Sequence, residues 1–90
     1  MRTEQVEIYS NAPNSVVLRY PGRKFPGVLV QGDTLSTWCS SLEAACESSR
    51  GKVDEDTLEE LVGLRDRVSA VLDHYKQVLT QHGVTVPFDA

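Results

Sequence analysis

Long apolar runs, paired metal ligands and phosphate-cradling glycine loops are all missing from this chain of 90 residues, which carries only 2 cysteines, 2 histidines and 7% aromatic side chains. No apolar stretch approaches the roughly 20 residues that a membrane-spanning helix needs. The opening "MRTEQVEIYSN" has one basic residue followed by acidic and polar ones, and no apolar segment of a signal peptide. These two absences predict a cytoplasmic protein with no membrane partner. The formal charge of -4 argues against the sequence-independent phosphate attraction that supplies most non-specific nucleic-acid affinity, so no nucleic-acid partner is expected.

The few potentially reactive groups are badly placed for chemistry. Cys39 and Cys46 are seven positions apart in one helical period, which is about 10 Å along a helix axis. That exceeds the ~7 Å Cα separation that a disulfide tolerates. A helix brings together positions three or four apart, and no second Cys or His pair is present to complete a tetrahedral site. Both cysteines are therefore read as reduced, small apolar core residues, with no metal and no cofactor expected. Nucleophilic catalysis needs a base within reach of a Ser or Cys and a third group that orients it. His74 and His82 are eight apart on one predicted helix, and His82 near the helix end is explained by the dipole alone. The segment "VDEDTLEE" resembles a calcium loop only in charge density, since the glycine and terminal glutamate of an EF-hand are not at the required spacing. No catalytic residues are assigned, and the chain is read as a non-enzyme. The remaining enzymatic route would have to bring Cys39, His74 or the carboxylates together across a dimer interface.

What is present is an ordinary globular composition, 40% hydrophobic and 24% charged, sized for one domain over residues 1–90. Its two halves have different periods. Val6 and Ile8 alternate with Glu7 and Tyr9 before the turn-rich "SNAPN", which predicts a short strand ending near Ser10. In "SVVLRY", Val16, Leu18 and Tyr20 share one strand face, and Val17 and Arg19 the other. Pro21 and Gly22 suit the central positions of a type II turn. A third strand, "GVLVQ", follows; if Leu29 shares the face of Val17, that face is not purely polar and should be covered by a partner subunit or the chain's own tail.

After Gly32 the period becomes helical. Asp33 is read as the cap of a first helix, residues 33–50, in which Leu35, Trp38, Cys39, Leu42, Ala45, Cys46 and Ser49 share one side. Gly51 closes it. A second helix, residues 54–82, opens with Asp56 and Glu59 at capping-box spacing and ends before Gly83. The tail, residues 83–90, alternates like a strand and is expected to dock as an edge strand or a staple. The fold class is therefore α+β: a small antiparallel sheet of two to three strands within residues 1–32, a hairpin or meander, then an α-helical hairpin with a long second helix.

Two surfaces stand out as candidate sites. Along the second helix Leu61, Leu64, Val68, Val71, Tyr75 and Val78 form a heptad-like seam, widened by Leu58, Val62, Leu72 and Leu79, with Leu61, Leu64, Val68, Val71 and Tyr75 as the candidate interface. A helix of about 26 residues, ~39 Å, outreaches a first helix of about 15 residues, ~22 Å. The surplus face predicts a homodimer or a bound protein partner. The second surface is "RYPGRKFPG", where Arg19, Arg23 and Lys24 form a basic turn suited to an anion or an acidic side chain. Charge is uneven along the chain: residues before Thr34 sum to +1, those from Thr34 onward to -5. The same turn also has a purely structural reading, in which basic residues guard a sheet edge and Phe25 reaches into the core.

The segment "NSVVLRYPGRKFPGVLVQGDTL" resembles the signature of a family of bacterial proteins as small as this one, whose function is unknown. There a Pro-Gly-Arg, one residue, Phe-Pro-Gly, valines and then Gln-Gly-Asp-Ser/Thr-Leu precede a helical half. The corresponding positions are Pro21, Gly22, Arg23, Phe25, Pro26, Gly27, Gln31, Gly32, Asp33, Thr34 and Leu35. The resemblance implies a bacterial source and a shared architecture, and no activity. Together these features lead to the expectation of a non-enzymatic protein-binding module, of inhibitor or immunity type. The alternative is an anion or small-molecule sensor using Arg19, Arg23 and Lys24.

Overall fold

The computed structural model describes residues 1–13 and 15–88. The element order is β1 (Glu7–Ala12), β2 (Ser15–Arg19), β3 (Gly27–Leu29), α1 (Gly32–Ser49) and α2 (Glu55–Gln81), the α+β arrangement expected. The chain divides into two compact units, residues 1–31 and residues 32–90.

The first unit is a meander in the order β1-β2-β3, antiparallel throughout. β1 runs two residues beyond the expected end at Ser10, because its register slips by one residue between Ile8 and Ser10. The extra residue, Tyr9, is a bulge after which pairing resumes with Ser10 opposite Val17. The β2–β3 turn follows the Pro-Gly logic: the Arg23 N–H donates to the Tyr20 carbonyl at 3.0 Å, and Gly22 takes the positive φ of 83° that the third position of a type II turn demands. β3 is only three residues long, with Val17 opposite Val28 and Val16 opposite Leu29. Residues directly opposite share a face, so Leu29 lies with Val16 and Leu18, and it is Val28 that joins Val17. Phe25 is not a core residue either. It is 73% exposed, because the segment between Pro21 and Pro26 carries it out of the strand.

The second unit is a helical hairpin, and the helix ends are explained residue by residue. Asp33 is not a cap in the usual sense. It sits one residue inside α1, where its Oδ1 accepts from the Thr34 N–H at 2.9 Å, and its charge still suits the N-terminal dipole. At α2 the cap is Asp54, two residues before the expected Asp56; its Oδ1 accepts from the Thr57 N–H at 3.0 Å. The far end is a Schellman arrangement. Gly83, at φ 68°, donates its N–H to the Thr80 carbonyl at 3.1 Å, and Val84 donates to Leu79 at 2.9 Å.

The interface between α1 and α2 is narrow. Cys46 is wholly enclosed, Cys39 and Leu72 nearly so, and Leu35, Leu42, Leu58, Leu61, Val62, Val68 and Leu79 are half-buried beside them. Both cysteines are free and fill the small-residue positions expected of them. Trp38 and Ala45, expected on the same side, are exposed. Gly32 is buried because the Tyr75 ring lies on it: a Cβ at this position would run into the ring itself. Phe88 then stacks on Tyr75 with ring centroids 6.3 Å apart, and the Lys76 ammonium lies 5.8 Å from the Phe88 centroid. Residues 83–88 are therefore a staple on α2, not a strand, and the last two residues of the expected tail, 89 and 90, lie outside the described residues.

Two outcomes test this description. Gly32→Ala should gain up to about 1 kcal/mol in helix propensity but lose more than that by displacing the Tyr75 ring, giving a lower Tm. In a Tyr75→Ala background the same substitution should raise Tm, and thermal unfolding of the four-member cycle reads the change of sign. The second concerns Asp54, whose pKa is lowered by its hydrogen bonds to the Thr57 side chain and then the Thr57 backbone. A depressed folded-state pKa means that the cap's contribution is fully present above the ordinary carboxylate value and is lost as pH falls through the lower folded value. The Tm gap between the parent and Asp54→Ala should thus hold from neutral pH into mild acid and close only in stronger acid.

Candidate functional site

The three basic residues of the turn fall into two groups. Arg19 ends β2 directly opposite Glu7 on β1, and its Nη2 donates to the Glu7 Oε1 in an ion pair. Opposite charges at a directly facing pair are the sheet's own stabilising arrangement, so Arg19 is committed within the unit. Arg23 and Lys24 lie beyond the strand, and neither has a carboxylate partner within ion-pairing distance among the described residues. The Lys24 ammonium instead lies 5.4 Å from the centre of the Phe25 ring, a cation–π contact that keeps it at the mouth of the turn.

Beside these two cations is a groove of about 520 Å³ lined by Leu18, Tyr20, Phe25, Val28 and Leu29 with Arg23, Lys24 and Gly27. Its origin lies in the register. Gly27 is opposite Leu18, so the missing side chain at position 27 leaves a depression between Leu18 and Leu29, and Phe25 walls it from the turn. The groove is mainly apolar with cations at one end. Arg2 supports its rim, donating from Nη2 to the Tyr20 hydroxyl at 3.1 Å while pairing through Nε with Glu4 at 3.0 Å. Sequence reasoning assigned Phe25 to the core and read Gly27 only as the start of the returning strand. The signal that could have found the groove was a glycine within a strand whose neighbours are all large.

On the second unit, the heptad-like residues do not share one environment. Leu61, Val68 and Tyr75 are half-buried, while Leu64 and Val71 are exposed, Val71 by 58%. The packed stripe of α2 instead follows Leu58, Leu61, Val62, Arg65, Val68, Ser69, Leu72, Tyr75, Lys76 and Leu79, in which Arg65, Ser69 and Lys76 occupy positions that the apolar pattern did not suggest. Leu64 and Val71, two turns apart, lie outside it.

The groups considered for nucleophilic chemistry lie in different environments, Cys39 buried and His74 exposed. Burial pushes the Cys39 thiol up, partly offset by a hydrogen bond with Ser69, while Glu43 and Asp73 raise it further. Such a group is held as a thiol, and the thiolate is the reactive form. His74 is exposed. Among the described residues no cluster of three or more His, Cys, Asp or Glu side chains could hold a metal ion, and no helix is long and apolar enough to cross a membrane. Native protein should therefore resist alkylation by iodoacetamide at both cysteines at neutral pH, and both should label at once in denaturant. Rapid labelling of Cys39 in the folded state, followed by mass spectrometry, would contradict its placement.

No curated protein and no solved structure matches the chain. A family model described as a family of unknown function (DUF6959) matches residues 1–88. With nearly the whole length covered, sheet and helices alike, the chain belongs to that family.

Proposed function

We propose that this protein is a non-enzymatic binding module that acts on another protein, as an inhibitor or immunity-type protein does, and that the groove on the sheet unit is its contact surface. The observation that carries this reading is the grouping of exposed Tyr20, Phe25, Val28 and Leu29 around one depression, with Arg23 and Lys24, which have no carboxylate partner among the described residues, at its end. Aromatic and arginine side chains clustered on an exposed apolar surface are the composition of protein-binding hot spots. The sensor reading is weaker, because it needs Arg19, Arg23 and Lys24 to converge on one anion, whereas Arg19 is engaged by Glu7. The proposal includes a cytoplasmic location with reduced cysteines. It also assigns the exposed stripe of Leu64 and Val71 to self-association or to a second contact with the partner.

The test places a photo-cross-linking residue at position 25 and irradiates cells that naturally make the protein. One protein should be captured stoichiometrically, and once purified it should bind the parent chain in calorimetry and bind Phe25→Ala at least about 30-fold more weakly, the cost of about 2 kcal/mol typical of a hot-spot residue. Phe25 is exposed, so the variant should keep the parent's Tm. No stoichiometric adduct, or equal affinity for parent and variant, would refute the reading.

A further inference from the structure

The groove lies along a free sheet edge. In the order β1-β2-β3 the outer side of β3 has no strand neighbour among the described residues, so the groove is bordered on that side by unpaired backbone. An exposed edge of this kind accepts another strand: main-chain hydrogen bonds supply affinity, and pockets for alternate side chains supply specificity. We infer that the partner segment is an extended acidic strand that adds to the outer edge of β3, setting an apolar side chain over Gly27 and carboxylates against Arg23 and Lys24. This inference rests on the protein-binding reading above and specifies the chemistry of the bound segment.

Three observations converge on it. The first is Gly27. Gly27 opens β3, where a glycine still lacks a side chain to pack and loses more backbone entropy on ordering. Here no feature of the chain requires it: a Cβ at position 27 would meet nothing within 4 Å, and its φ lies outside the positive range that favours glycine. Gly32 is the contrast, since there the Tyr75 ring occupies the space. A strand glycine that its own fold does not demand marks a place where another group comes close. The second is charge. Arg2, Arg19, Arg50 and Arg65 each have a carboxylate partner; Arg23 and Lys24, like Lys52, Arg67 and Lys76, have none among the described residues, and of these five only Arg23 and Lys24 line the groove. A carboxylate-bearing strand complements them, and a basic or neutral one does not. The third is alternation. Leu18 and Leu29 share the face onto which position 27 opens, so a strand laid beside β3 presents every second side chain to the groove.

The size also fits. Three paired residues span about 10 Å, which sets the bound segment at three or four residues in the ladder, with acidic residues just beyond it at the turn end. Pro26 and the short length of β3 limit the pairing to that stretch and keep the edge from extending into open-ended association.

The experiment uses the full chain and a panel of synthetic peptides in which two alternate positions are varied among Val, Ile, Leu, Phe and Tyr between acidic flanks. Each peptide has a lysine-flanked counterpart and an N-methylated one that cannot complete the ladder. Binding is read by fluorescence anisotropy and by NMR shifts of the Gly27, Val28 and Leu29 amides. Acidic members should bind at least tenfold more tightly than their lysine-flanked and N-methylated counterparts and should shift the β3 amides first. Gly27→Val, which fills the groove with a residue of high strand propensity, should keep or raise Tm and lose at least tenfold in affinity. The paired Arg23→Glu, Lys24→Glu variant should keep Tm and reverse the flank preference. If no acidic member outbinds its lysine counterpart, or Gly27→Val binds as the parent does, strand addition is wrong. A parent dimer that Gly27→Val dissolves would assign the edge to a second copy and equally overturn the acidic partner. A protein captured at position 25 that binds Gly27→Val undiminished would refute this inference and leave the protein-binding reading standing, whereas no capture at all would remove both.

Discussion

The helical unit depends on the contact between the Tyr75 ring and the bare Cα of Gly32, because that contact fixes where α2 lies against the beginning of α1. Two helices share only one interface, and here it encloses little beyond Cys39, Cys46 and Leu72. Small side chains at the two cysteine positions let the helix axes approach, but they contribute less burial than leucines would. The narrow core gives the ends unusual weight. Phe88 on Tyr75 adds an aromatic pair, worth about 0.5 to 1.5 kcal/mol beyond its buried area, and joins the tail to the same ring. Gly83 turns the chain back so that this return is sterically possible. One ring therefore collects the start of α1, the last turns of α2 and the tail, and a fold with so thin an interior is sensitive to the groups that meet there.

How far the sequence could be read depended on whether the deciding interaction was local. The Pro21-Gly22 turn and the Gly83 stop follow from φ preferences and hydrogen bonds within a few residues, and the structure has both. The change of period at Gly32 located the boundary between sheet and helices for the same reason. The strand register was not local: a bulge at Tyr9 and the length of the connection between β2 and β3 decided which faces met, and alternation within a strand is silent on both. On α2 two apolar stripes overlap, one through Leu64 and Val71 and one through Leu58, Leu61, Val68 and Leu72. Hydrophobicity alone could not choose between them, since the packed stripe also holds Arg65, Ser69 and Lys76. The Asp54 cap was missed because Asp54, Asp56 and Glu59 offer competing capping patterns, and only backbone geometry selects one. Gly27 stood out only as a glycine among large strand residues, and a glycine after a proline looks equally like part of a turn; the register opposite Leu18 is what makes it a gap.

The basic turn shows how pairing turns a charge count into a site. Four basic residues precede Thr34, yet Glu4 and Glu7 neutralise Arg2 and Arg19 in place. What remains is not a diffuse positive field but two cations at one end of an apolar groove, on a chain whose net charge is -4. At physiological ionic strength the Debye length is about 8 Å, so only charges that close to a bound segment act on it strongly, and Arg23 and Lys24 border the groove itself. The cations in such a site select among strands already at the edge more than they draw partners from a distance, and the contact they make should weaken with added salt while the apolar contact over Gly27 persists. Selectivity then requires both parts together: the groove alone would accept any apolar strand, and the cations alone any small anion.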